Sequence, residues 1–67
     1  MTDYKITLAA ARVNAGMTQE EVAKAMHVSK NTIVNWENGK VEMKPAQFKM
    51  YCFIVKAPEN CIILPDI

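Results

Sequence analysis

Two helix-start signals and one hard stop fall between Thr18 and Gly39, and they force two short helices to meet at a tight turn. Thr18 is a natural N-cap. Glu21 stands three residues on, the spacing at which a carboxylate reaches back to the capping N–H. Ser29 repeats the capping signal, and Asn38-Gly39 closes the second helix because both residues tolerate positive φ. Val22, Ala23 and Met26 form the apolar stripe of the first helix, and Ile33 and Trp36 that of the second. Ala23 lies mid-helix, where a small side chain lets the partner helix approach closely. Val28 and Ile33 fill the angle between the two. His27 takes the turn, entering the left-handed region at some cost.

The remaining punctuation predicts three further helices. Leu8, Ala9, Arg12 and Val13 trace one face of a helix over 6–14, with Gly16 as its left-handed terminator. Residues 40–44 read as a linker. Pro45 suits the first turn of a helix over 45–55, whose core face is Phe48, Tyr51, Cys52 and Val55. Pro58 opens a last short helix, 59–63 or 64, and Pro65 ends it. The expectation is a compact all-α bundle of five helices with no sheet. One domain spans 6–64, between a loose arm at 1–5 and a tail at 65–67. Its core would comprise Leu8, Val13, Met17, Val22, Ala23, Met26, Val28, Ile33, Trp36, Phe48, Cys52 and Ile62.

Composition narrows the function classes. At 67 residues and 51% hydrophobic, the chain can bury one small core. A net charge of +1 does not by itself argue for nucleic acid. The distribution does more: Lys30, Lys40 and Lys44 gather in or just after the helix that Ser29 caps, so the positive charge is local. Cys52 and Cys61 with the distant His27 make no zinc signature, so no metal or cofactor is implied. With no signal segment ahead of the cysteines, a reducing cytoplasm is the simpler expectation. No apolar run approaches the ~18–20 residues of a membrane span. A single histidine without a neighbouring nucleophile, no glycine-rich phosphate loop, no carboxylate pair in a cleft and little room for a pocket argue against an enzyme, and no small-molecule substrate is evident.

What faces outward points to a polymer with readable edges. With Ile33 and Trp36 turned in, Lys30, Asn31, Val34 and Asn35 face out or sideways. Lys30 suits guanine O6/N7 or a phosphate, and Asn31 and Asn35 offer the donor–acceptor pair of adenine's major-groove edge. Val34 suits a thymine methyl. These make Lys30, Asn31 and Asn35 the expected base contacts. Gln19, at the start of its helix, adds a phosphate donor where backbone N–H groups favour an anion. Asn38, Gly39 and Lys40 supply donors on the other side of the groove, and Ser29 and Thr32 complete the expected phosphate set.

The run Thr18-Gln19, Val22-Ala23, Met26, Val28-Ser29, Thr32-Ile33 and Trp36-Glu37-Asn38-Gly39 resembles the Cro/C1-type helix-turn-helix domains of phage repressors and xenobiotic-response-element regulators. The resemblance covers about residues 6–64 and is most specific over 12–40. It implies a lambda-repressor-like bundle of five helices with the Ser29-capped helix as recognition helix. It also implies an ion pair between Arg12 and Glu37. The expected function is then a sequence-specific transcriptional regulator on a double-stranded DNA operator, bound as a homodimer. The alternative is a protein-interaction module of the same fold, using Ile62, Ile63, Leu64 and Ile67 as an apolar end. The family often has glycine where this chain has His27.

Overall fold

A computed structural model describes residues 5–65, in the order β1 (Ile6–Thr7), α1 (Leu8–Asn14), α2 (Gln19–Met26), α3 (Lys30–Asn38), α4 (Pro45–Val55), a 3₁₀ turn (Glu59–Cys61) and β2 (Ile62–Ile63). Of the arm expected at 1–5 and the tail expected at 65–67, all but Lys5 and Pro65 lie outside the described residues.

The helix starts follow their caps. Thr18 Oγ1 accepts from the Glu21 N–H at 3.1 Å, and the Glu21 carboxylate accepts from the Thr18 N–H at 2.8 Å. Ser29 Oγ accepts from the Thr32 N–H at 3.2 Å. Thr7 does the same for α1, taking the Ala10 N–H at 3.1 Å. Lys44 has no accepting side chain, so α4 keeps only the reciprocal half of the device, with Gln47 Oε1 taking the Lys44 N–H at 2.9 Å. Pro45 fills the first helical position, where no N–H is needed.

All four helix ends use one stop. At each, a left-handed residue donates its N–H three residues back, and the next residue reaches five back: Met17 to Arg12 at 3.1 Å, Val28 to Ala23 at 3.0 Å, Lys40 to Asn35 at 2.9 Å and Ala57 to Cys52 at 3.0 Å. This is the Schellman motif, which satisfies carbonyls the helix leaves open. Gly16 and Gly39 hold two of these positions at φ 74° and 78°. His27 and Lys56 hold the others at φ 60° and 59°, each with a Cβ in a region that disfavours one.

Two expectations fail at the chain's ends. Among the described residues the fold is all-α with four helices, not five, because the segment expected as a last helix makes one 3₁₀ turn and then extends. The expected start of α1 is likewise extended. These two extended pieces pair as parallel strands, Ile6 with Ile62 and Thr7 with Ile63. Ile-Thr and Ile-Ile are β-branched pairs whose side chains suit a pleated surface, and the pairing satisfies backbone groups that a single isolated turn would leave open.

Leu8, Ala11, Val22, Ala23, Ile33, Trp36, Met43, Tyr51, Cys52, Val55 and Ile62 form the core, with Met17, Met26, Val28 and Phe48 partly buried against it. Val13, expected inside, is 62% exposed. On α1 the inward face is Leu8, Ala11 and the stem of Arg12, which leaves Val13 on the far side. Met43, in the linker, closes the core between α3 and α4.

Candidate nucleic-acid interface

The sequence sets α3 against the core through Ile33 and Trp36, both buried, which decides what its other faces show. Lys30 and Asn31 are exposed, and Val34 and Asn35 half-buried. Ser29, Thr32 and Glu37 supply the side-chain hydrogen bonds that tie this segment down. Lys30, Asn31 and Asn35 keep their polar heads without a partner among the described residues. An ammonium and two amides thus stand on a helix that cannot rotate away, because Trp36 and Ile33 fix its back.

Glu37 does the fixing at the other end of α3. Its Oε2 accepts from Arg12 Nε at 2.8 Å and from Tyr51 Oη at 2.7 Å. Its Oε1 accepts from Gln19 Nε2 at 3.0 Å and from Arg12 Nη2 at 3.3 Å. Donors from α1, α2 and α4 therefore converge on one carboxylate of α3, and they fill its lone-pair directions. Arg12 and Glu37 side chains are only 14% and 4% exposed. Arg12 Nη1 also donates to the Met17 carbonyl at 3.0 Å, tying the α1–α2 turn to the same group.

The protonation states follow from this packing. Burial works to raise the Glu37 pKa, but the hydrogen bonds from Arg12, Tyr51 and Gln19 outweigh it and hold the carboxyl below its ordinary value. The hydrogen bond with Glu37 pushes Arg12 up against the opposing effect of burial. Burial first, and then the Glu37 hydrogen bond, push the Tyr51 hydroxyl far above its usual range. Tyr51 Oη also lies 3.1 Å from the Leu8 carbonyl. It has one proton, and the shorter, charged partner is the stronger acceptor.

The expected phosphate donors separate into free and engaged groups. Gln19 spends one amide N–H on Glu37, leaving its second N–H and its carbonyl oxygen. It lines an open hollow of about 370 Å³ at the mouth of α2, together with Arg12, Met17, Thr18, Glu20 and Lys30. Of the charged groups bordering that space, Arg12 is paired with Glu37, which leaves Lys30 and Glu20 as one cation and one carboxylate facing it. Ser29 Oγ and Thr32 Oγ1 lie 3.0 Å apart and share one hydrogen bond, which leaves one hydroxyl proton of the pair available. Asn38 and Lys40 are exposed. Gly39 is buried, and its N–H donates to the Trp36 carbonyl at 3.3 Å, so that N–H is engaged inside the fold.

The arrangement is two short helices joined by the three-residue turn His27-Val28-Ser29, the second locked from behind and polar in front. A family model described as helix-turn-helix matches residues 8–50, more than half of the chain. The chain belongs to the helix-turn-helix family. Helix-turn-helix domains are non-catalytic DNA-binding modules, and membership supports a DNA-binding regulatory role in general. Comparison with curated proteins and with solved structures found no match. No helix among the described residues is long and apolar enough to cross a membrane.

Sequence reasoning missed the part of Tyr51 in this helix-turn-helix domain. Its place on the core face of α4 follows from periodicity, but periodicity says nothing about where a buried hydroxyl finds its partner. A tyrosine on an otherwise apolar face is the signal that could have prompted the search, since a buried phenol O–H needs an acceptor. The same holds for the amide of Gln19, whose link to Glu37 joins residues that only the helix crossing brings together.

Proposed function

We propose that this helix-turn-helix domain is a sequence-specific double-stranded DNA-binding transcriptional regulator of the Cro/C1, phage-repressor-like type. α3 enters the major groove and reads bases through Lys30, Asn31 and Asn35. Gln19, Ser29, Thr32, Asn38 and Lys40 hold the backbone, while Gly39 turns the chain so that Asn38 and Lys40 flank the groove. The observation that carries this reading is the set of three unpartnered polar heads on a helix pinned by Trp36. With a net charge of +1, one copy has little electrostatic hold on DNA. A homodimer on an inverted repeat, its half-sites about 34 Å apart, supplies the rest by linking two weak contacts.

Selection of bound duplexes from a random pool, followed by salt titration on the selected site, tests the reading. Lys30→Ala and Asn35→Ala each weaken the selected duplex by about 1–3 kcal/mol, roughly 5- to 150-fold, and relax preference at one base position. Gln19→Ala weakens all duplexes alike. Unchanged binding in both Lys30→Ala and Asn35→Ala overturns the assignment of the reading face.

A further inference from the structure

Gln19 is held by a group that can only accept. Burial works against the charge of Glu37, but the donors around it keep the carboxyl ionised, and an ionised carboxylate has no proton to give. The amide of Gln19 has two ends, an NH2 that donates and an oxygen that accepts. Only the NH2 end can face Glu37, and it does so at 3.0 Å, Nε2 to Oε1. The choice of oxygen is also settled. Arg12 Nε at 2.8 Å and Tyr51 Oη at 2.7 Å occupy Oε2. Arg12 Nη2 reaches Oε1 only at 3.3 Å, so Oε1 is the oxygen left for Gln19. The outer end of the amide is then determined. It offers one free N–H and a carbonyl oxygen, neither with a partner among the described residues. Gln19 is half-buried and lines the hollow at the start of α2 beside Lys30.

We propose that Glu37 is a positioning residue for the DNA site: its carboxylate turns the Gln19 nitrogen inward, so that Gln19 meets the DNA backbone with a single N–H of fixed direction. This rests on the preceding reading, in which Gln19 contacts a phosphate, and it adds a residue that never touches DNA. A freely turning glutamine would present its whole NH2 to a phosphate and keep its oxygen away from the anion. The carboxylate forbids that arrangement, because turning the amide over sets the oxygens of Gln19 and Glu37 against each other with no proton between them. The contact gains direction and gives up a donor. An amide fixed before binding also loses less rotamer freedom when DNA arrives. Tyr51 has a different part. It donates to the other oxygen, and Glu37 remains an acceptor with or without that hydroxyl.

A double-mutant cycle on the selected duplex tests the coupling, with each variant read at a temperature where circular dichroism shows it folded. In Glu37→Gln the new amide keeps its oxygen for Arg12 and Tyr51 and turns its NH2 toward Gln19, which turns over in response. Gln19→Ala then costs several-fold more affinity than it does in the wild type, since the whole NH2 now faces the phosphate. Lys30→Ala costs the same in both backgrounds. Tyr51→Phe disturbs the same cluster but leaves the acceptor in place, so the cost of Gln19→Ala is unchanged there. An equal or smaller cost of Gln19→Ala in Glu37→Gln overturns the proposal. So does a matching rise in the cost of Lys30→Ala, which marks a general loosening of α3. The wild-type chain gives a second readout that needs no Glu37 variant to fold. In its nitrogen–proton NMR spectrum one Nε2 proton of Gln19 lies at low field, bonded to Glu37, and the selected duplex moves the resonance of the other. A larger movement of the bonded proton overturns the positioning and leaves the DNA reading intact. A Gln19→Ala variant with wild-type duplex affinity sinks the phosphate contact itself, and the positioning role with it.

Discussion

The α2–α3 unit and the strand pair that joins the chain's ends are held together by opposite means. In the unit, each boundary is set by residues within five positions of it: Thr18 with Glu21, Ser29 with Thr32, and left-handed stops at His27 and Gly39. The strand pair has no such local instructions. Ile6 and Ile62 find each other across nearly the whole chain, and the segment after Pro58 keeps only one 3₁₀ turn before it extends. Glu37 stands between the two cases. It lies on a locally specified helix, yet its four hydrogen bonds come from Arg12, Gln19 and Tyr51, each on a different helix. Local signals make helices here, and a few non-local contacts decide how they assemble.

Removing the convergent carboxylate should do the most damage. Glu37→Ala leaves the Arg12 guanidinium buried without its counter-charge, a loss of about 3–5 kcal/mol that urea denaturation would read as near-complete unfolding in so small a domain. A milder form of the same test uses acid. The folded Glu37 pKa lies below its ordinary value of 4.5, so its stabilisation is present above pH 4.5 and drains as pH falls through the folded value. Glu37→Gln should flatten that part of the stability profile. If the profiles of wild type and Glu37→Gln run parallel below pH 4.5, the carboxylate is not the acid-sensitive group.

The strand pair comes next. Ile62→Ala removes a nearly buried side chain from the junction, at about 2 kcal/mol, the low end for such truncations because Ile62 retains some exposure. Hydrogen exchange should then show Thr7 and Ile63 losing protection while α3 keeps its own. Equal loss in α3 would show that the two regions are less separable than their contacts suggest.

Local signals should cost less to remove. Thr18→Ala deletes the cap of α2 and should lower stability by about 1 kcal/mol in thermal melts. The smallest change should be a gain. His27→Gly relieves a left-handed strain of roughly 1–2 kcal/mol, offset by about 0.5–1 kcal/mol of added chain entropy in the unfolded state. A melting temperature that falls on this change would mean that the imidazole makes a stabilising contact. Lys56→Gly, at the matching position of α4, should behave alike.

Much of this was readable from residues and some was not, and the division is physical. The boundaries of α2, α3 and α4 follow from caps, Pro45 and Asn38-Gly39, all acting within a turn or two. Gly16 and Gly39 advertise their left-handed stops, and His27 is legible only because a turn must fall there. Lys56 gives no such sign, since a lysine at that position is chosen by the packing that follows it. The expected fifth helix failed because Pro58 starts a helix as readily as it starts one 3₁₀ turn. Val13 was misplaced because the alanines of α1 leave the inward face undefined until Arg12 is drawn to Glu37.

The amino-acid sequence alone settled that Ser29 begins a helix whose inner side is Ile33 and Trp36 and whose outer side is Lys30, Asn31 and Asn35, because side-chain direction on a helix depends only on spacing. The assembled chain alone decided that Gln19, Arg12 and Tyr51 meet at one carboxylate and that Gly39 is sealed inside. Those outcomes depend on how separate helices cross, and crossing is governed by shape and burial summed over the whole core.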